Sequence, residues 1–293
     1  NIYITMLNQV TIDFNWQPET TLVCRVHMQD GEIECEAKGE VPGRVLNQFS
    51  MDEYGGYFRI ATTTGQAWHP EDPSRNNLYV LDLNLTIVGR LEGLAPLETI
   101  YSTRFMGDRC YLVTFRQVDP FFAIDLQDPY KPKELGSLKI PGYSSYLHPY
   151  DENHIIGIGM DGGKVKISLF DVSNVSDPKE KVPPYKTENC SYSIALDDHR
   201  AFLFDKQKNL LVIPIAEKND YGGQGAYVFN ITMEQIELRG IITHMENATG
   251  PFYPLDYVVR SLYINDVLYT ISSRKVKMNN LETLQEINEI ELR

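Results

Sequence analysis

Apolar and polar positions along this chain fall into short blocks. An apolar run is followed by a polar turn containing Asp, Asn or Gly, and then by a second apolar run. Five segments share that shape: 49–64 (FSMDEYGGYFRIATTT), 103–115 (TRFMGDRCYLVTF), 146–159 (YLHPYDENHIIGIG), 202–215 (FLFDKQKNLLVIPI) and 261–271 (SLYINDVLYTI). Each reads as a hairpin of two buried strands. Their starts are spaced by roughly 40 to 60 residues, which suits a repeating four-stranded unit. A third strand follows most hairpins and ends in an acidic or amide residue: 78–82 (LYVLD), 121–125 (FFAID), 167–171 (ISLFD) and 226–230 (AYVFN). A fourth, more polar strand closes the unit in three cases, at 87–91 (IVGRL), 134–138 (ELGSL) and 237–241 (ELRGI). This gradient is the one expected when inner strands are covered on both faces and the outermost meets water.

The amino-terminal segment fits the same unit without its first strand, with apolar runs at 2–6, 22–26 and 32–39, and the last unit ends with 276–281 and 287–292. The reading is therefore all-β: a β-propeller of about six four-stranded blades in one domain spanning 1–293. The blade-like units cover 1–45, 46–98, 99–142, 143–192, 193–246 and 257–293. Because the first blade is incomplete, completing the propeller is expected to require sequence outside this chain, as part of a larger ring. Residue 1 is Asn rather than Met, which fits a processed chain or a piece of a longer one. No helical period of useful length competes, although 280–287 (NLETLQEI) could form a short helix.

Composition narrows the setting. The net charge is −13, and an acidic surface repels phosphate backbones, so no nucleic-acid partner is expected. The longest apolar runs, such as 210–216, are too short to form a transmembrane segment. Of four cysteines, Cys24 and Cys35 flank the turn at 29–32. If the hairpin centres between Gln29 and Asp30, the two sulfurs oppose one another and form a disulfide; a one-residue slip sends them to opposite faces. Cys110 reads as a buried thiol. Five N-x-S/T sequons begin at Asn84, Asn174, Asn189, Asn230 and Asn247. Composition alone supplies roughly two, so the excess points to a glycosylated, extracellular or cell-surface protein. Asn84, Asn174 and Asn230 also fall just after strands, where Asn is a common turn former.

Several phrases resemble one family: GEVPG at 39–43 with LNQFSMDEY at 46–54, FRQVDP at 115–120, IPG at 140–142 with YLHP at 146–149, HRAFLFD at 199–205 and RSLYI at 260–264. They look like secreted archaeal and bacterial proteins with a carboxy-terminal β-propeller domain, distantly related to WD repeats. The resemblance covers nearly the whole chain. It implies a propeller fold, export, and a longer parent with further blade-like sequence upstream. It brings no activity with it.

Local chemistry is sparse. His148, Asp151 and His154 crowd one hairpin turn, where two imidazoles and carboxylates suit a metal but turn chemistry also explains them. Asp198 and His199 place a carboxylate beside an imidazole, again flanking a strand. Arg116 and Arg260, with Asp52, Glu53 and Asp119, sit in the family-like phrases at blade edges, as salt-bridge formers or as one functional face. The acidic loops at 71–73 and 161–163 leave calcium or another divalent cation open, without the ligand spacing of an EF-hand. The aromatic loop at 251–257 has rings that could stack on a sugar or a partner. No local nucleophile, HExxH or phosphate-loop motif occurs. The expected role is a non-catalytic module that binds a protein or glycan at the cell surface. The alternatives are an extracellular hydrolase or lyase with a site at the channel mouth, and a structural cell-envelope component.

Overall fold

The computed structural model describes residues 1–8, 11–12, 15–16, 19–29, 31–67, 72–115, 119–217, 223–245 and 256–292. They divide into two compact units, Asn1–Tyr143 with Val172–Pro178, and Ser144–Asp171 with Lys179–Arg293.

In the first unit, β1 (Ile2–Asn8) precedes a short hairpin, β2 (Thr11–Ile12) and β3 (Asn15–Trp16), then β4 (Thr20–Gln29) and β5 (Glu32–Pro42). The first sheet has the order β1-β4-β5. The second is built from β6 (Arg44–Val45), β7 (Met51–Tyr54), β8 (Tyr57–Thr64), β9 (Arg75–Leu81) and β10 (Ile87–Leu94), with β6 and β7 both paired to β8. The third runs in chain order through β11 (Thr99–Met106), β12 (Arg109–Phe115), β13 (Asp119–Asp125) and β14 (Lys133–Ile140).

The remaining sheets follow the same plan. The fourth holds β15 (Tyr143–Asp151), β16 (His154–Asp161), β17 (Lys164–Asp171), β18 (Lys179–Glu180) and β19 (Tyr185–Lys186), the last two both pairing with β17. The fifth holds β20 (Ser191–Tyr192), β21 (Leu203–Asp205), β22 (Leu210–Glu217), β23 (Gln224–Ile231) and β24 (Ile236–Ile242), with β20 and β21 both on β22. The sixth is β25 (Arg260–Ile264), β26 (Val267–Ile271), β27 (Lys275–Asn280) and β28 (Glu286–Glu291). The all-β architecture of four-stranded repeats expected from the hairpin periodicity is present.

Burial explains the sequence pattern. Second and third strands such as β8, β9, β12, β16, β17, β22 and β23 are buried almost end to end, so they read as continuous apolar runs rather than alternations. Fourth strands alternate or are exposed, as in β24 and β28. Leu78, Val80, Cys110, Leu112 and Ile124 centre one cluster of the first unit, and Leu210, Val212, Val228 and Leu268 one of the second.

Five fourth strands share a bulge against the third, where the register slips between Arg25 and Val26, Ile87 and Gly89, Ala123 and Ile124, Val228 and Phe229, and Met278 and Asn279. At or near four of these bulges sits a glycine whose missing side chain makes room for a turn between third and fourth strands. A Cβ on Gly39 would lie 2.5 Å from the Leu85 carbonyl oxygen, and one on Gly89 would lie 2.0 Å from that of Pro129. One on Gly136 would lie 2.6 Å from the Val175 oxygen, and one on Gly240 2.8 Å from Leu284 Cδ1. Real Cβ atoms do not approach this closely. The bulge bends the strand and the glycine lets the turn seat against it.

One sequence expectation needs correcting, and the Cys24–Cys35 disulfide forms through a register the sequence did not specify. Residues 280–287 are not helical. Asn280 Oδ1 accepts from the backbone N–H groups of Glu282 and Thr283, Leu284 takes φ +59°, and the chain turns back into β28. The Cys24 hairpin is also out of the register that would put the cysteines opposite one another. Val26 faces Cys35 and Cys24 faces Lys38, with Glu36 as the extra residue of the bulge. Cys24 and Val26 share a face, so Cys24 reaches Cys35 along the diagonal, and the two are joined by a disulfide with their Cα atoms 6.1 Å apart.

Candidate functional site

In the second unit, His148, Asp151 and His154 lie at the hairpin between β15 and β16. Asp151 Oδ1 is 2.7 Å from His154 Nδ1 and accepts the Asn153 N–H, while Oδ2 accepts from Lys206 Nζ at 2.7 Å. Burial opposes ionisation of Asp151, but the donors Lys206, His154 and Asn153 outweigh it and hold its pKa at about 2. His154 Nε2 is buried, makes no hydrogen bond, and faces Asp171 Oδ2 at 3.8 Å, where Lys181 is also paired. The nitrogen that a general base would offer to a substrate is therefore buried beside Asp171. His148 lies in an aromatic cluster instead, 4.8 Å from the Phe202 ring and 5.5 Å from Phe204, with Nδ1 3.1 Å from the Tyr146 hydroxyl. Asp151 and His154 fasten the hairpin while His148 packs against Phe202 and Phe204, and among the described residues no three His, Cys, Asp or Glu converge as a metal site.

The opposite ends of the fifth and sixth sheets hold something different. A cavity of about 240 Å³ is lined by Tyr192, Ile194, Pro214, Ala216, Gln224, Tyr257, Val258 and Val259. Local sequence explains how each wall forms. Ser193 caps the short 3₁₀ turn Ile194–Leu196 by accepting the Ala195 N–H, and it donates to the Pro214 carbonyl at 2.5 Å. Gln224 clamps the segment before β25: its Nε2 donates to the Val258 carbonyl at 2.8 Å and its Oε1 accepts the Val258 N–H at 2.9 Å. The Tyr192 hydroxyl donates to Asp197 Oδ2, and burial together with that carboxylate pushes its pKa up to about 12. Gln224 and the Tyr192 hydroxyl are thus engaged by the protein itself, and the rest of the lining, Tyr257 apart, is aliphatic.

Asp198 and Arg260, singled out from sequence, stand in the elements flanking this cavity. Asp198 caps the 3₁₀ turn His199–Ala201 and grips Arg200 through Nε at 2.8 Å and Nη2 at 2.9 Å. Those bonds and the nearby charge of Arg260 hold Asp198 at about 2. Arg260 opens β25 directly after Val259 and is exposed. His199 is half-buried in the same 3₁₀ turn. The cavity lining comes from segments scattered between residues 192 and 259, a combination no local motif announces.

Arg116 and Asn247 lie outside the described residues. Asp52 pairs with the buried Arg59 through Nε at 2.6 Å, and Glu53 accepts from Asn1 and the Tyr3 hydroxyl, each at 2.9 Å. Two sequons fall in turns between third and fourth strands: Asn84 and Asn174 are exposed in the turns that seat Leu85 on Gly39 and Val175 on Gly136, whereas Asn230 lies inside β23 rather than after it, opposite Glu237. Turn chemistry suits Asn at the first two places. Asn189 is exposed and bonded to Glu217 through Nδ2 at 3.1 Å. Cys110 is buried, which pushes its thiol well up, and Cys190 is exposed.

Comparison with known proteins fits this architecture. A family model described as a beta propeller domain matches residues 1–284. An uncharacterised protein of Methanocaldococcus jannaschii is 41% identical over 282 residues, covering 96% of this chain and 42% of its own length. One from Archaeoglobus fulgidus is 40% identical over 274 residues, covering 94% and 39%. The chain spans about two fifths of the length of these relatives. Among solved structures, a protein from Lactobacillus plantarum superposes with a TM-score of 0.53 at 9% identity, over 97% of this chain and 81% of its own, a likeness of fold alone. On the family match and the repeated four-stranded sheets together, the chain belongs to the beta propeller domain family.

Proposed function

We propose that this propeller is a non-catalytic binding module that holds a protein partner by seating one apolar side chain in the cavity beside Tyr192. The observation that carries this reading is the apolar lining, Ile194, Pro214, Ala216, Val258 and Val259, beside which Gln224 is clamped to Val258 and the Tyr192 hydroxyl gives its proton to Asp197. A sugar ring in the cavity would leave buried hydroxyls unpaired, at about 1–3 kcal/mol each, whereas an apolar side chain loses nothing. At about 240 Å³ the cavity is smaller than the roughly 300–1,000 Å³ of small-molecule sites, a size suited to one anchoring side chain. Asp198 and Arg200 follow the lining residue Ile194 in sequence and Arg260 follows Val259, so a partner reaching past the cavity edge would meet charged side chains there. Catalysis at the best His–Asp pair is disfavoured because His154 Nε2 is buried against Asp171.

The disulfide in an exposed hairpin supports an oxidising, extracellular setting. Methyl NMR titrations with N-acetyl-phenylalanine amide and with chitotriose test the reading. The amide should shift the methyls of Ile194, Ala216, Val258 and Val259, and the saccharide should not. Shifts with the saccharide alone would sink the proposal.

A further inference from the structure

The first sheet has an open edge. In the third and sixth sheets the chain visits four strands in order, and the fourth carries the bulge against the third. β5 carries that bulge against β4. This makes β5 the fourth strand of its sheet, β4 the third and β1 the second. Among the described residues no strand holds the first position, on the far side of β1 from β4.

Exposure agrees with that assignment. The second strands β8, β12 and β16 are buried through their middles. In β1, Ile2 is 45% exposed, Ile4 57% and Met6 62%. These three face Val26, Cys24 and Leu22 across the pair, so they form one apolar row on one side of the sheet. An apolar row beside an unpaired strand edge is the geometry by which a sheet accepts an added strand.

We propose that β1 is the acceptor for an added β-strand, apolar at alternate positions and supplied by propeller sequence of the full-length protein outside residues 1–293. The added strand runs antiparallel to β1, as β11 does to β12 and β25 to β26. Its source is argued from two observations. In the other sheets the first position is filled by strands from just earlier in the chain, and the relatives carry more than half of their length outside the matched region.

Hydrogen exchange tests this in two proteins. In the 293-residue chain, alternate β1 amides should exchange as fast as those of an unstructured peptide. In the full-length Methanocaldococcus jannaschii relative, the matching strand should exchange at least about 100-fold more slowly. An Ile4→Asp variant should leave the melting temperature of the 293-residue chain unchanged, while the matching substitution should lower that of the full-length relative. The proposal is overturned if β1 in the 293-residue chain is already as protected as β12, or if the matching strand stays unprotected at full length. It is also overturned if the 293-residue chain dimerises and Ile4→Asp abolishes both dimer and protection, since a second copy would then be the occupant.

Discussion

Replacing Gly89 by alanine would place a methyl carbon 2.0 Å from the Pro129 carbonyl oxygen, 3.0 Å from its carbon and 3.1 Å from Pro132 Cδ. The φ of Gly89 is not positive, so alanine meets no intrinsic backbone objection and the cost is purely steric. Ordinary contact would require the turn to retreat by more than about 1 Å. That turn is held in place by the Lys131 N–H on the Asp128 carbonyl, the Tyr130 N–H on the Asp128 carboxylate and the Gln127 N–H on the Asp125 carboxylate. Overpacking costs about 1–3 kcal/mol when side chains can yield, and here the obstacle is backbone, so Gly89→Ala is expected to cost about 3 kcal/mol. At about 2–4 °C per kcal/mol for a chain of this size, the melting temperature falls by roughly 6–12 °C. Gly136→Ala, blocked by backbone at 2.6 Å, should cost nearly as much. Gly240→Ala should cost least, because Leu284 Cδ1 is the end of a flexible side chain. Urea unfolding followed by circular dichroism gives the three values. A Gly89→Ala variant within about 0.5 kcal/mol of wild type, or a Gly240→Ala variant less stable than it, would refute the seating of turns on bulge glycines.

Further outcomes follow from the same geometry. Burial, with Lys277 and Lys275 nearby, pushes the buried His244 down to about 4. The unfolded imidazole therefore takes a proton as pH falls through 6.5, while the folded one stays neutral until about 4. Stability should drop across that window by at most about 3 kcal/mol, and His244→Gln should flatten this part of the melting profile. Reducing the Cys24–Cys35 bridge, which closes a separation of 11 residues, should cost about 3 kcal/mol, read as a lower urea midpoint in dithiothreitol. Protein from its native source should gain glycan mass at Asn84, Asn174 or Asn189, whose side chains are exposed; peptide mapping that finds all three bare would remove the sequon argument for export.

What was legible in the sequence is what depends on near neighbours. Hairpins such as 103–115 declare themselves because β12 is buried on both faces and a Gly107–Asp108 turn separates it from β11. Partners distant in sequence were not legible. Gly89 looks like any glycine in a polar strand until the turn at Pro129 is placed against it. The Cys24–Cys35 register depended on a bulge at Glu36 that simple alternation does not reveal. The 280–287 segment has helical spacing, yet the Asn280 side chain and the left-handed Leu284 make it a turn. The His148–Asp151–His154 cluster was visible as chemistry, but its buried Nε2 was not, and the cavity beside Tyr192 is assembled from pieces with no shared motif.

The central functional claim, an apolar anchor seated beside Tyr192, is tested most directly by filling the cavity. Ala216 lines it and is half-buried, so Ala216→Phe puts a ring where the partner's side chain would sit. The measurement is the affinity of N-acetyl-phenylalanine amide for wild type and variant under conditions where both are folded. The expected result is saturable binding to wild type that weakens at least about tenfold in Ala216→Phe, with the melting temperature little changed. Equal binding to both proteins, or none to wild type at millimolar concentration, would contradict it.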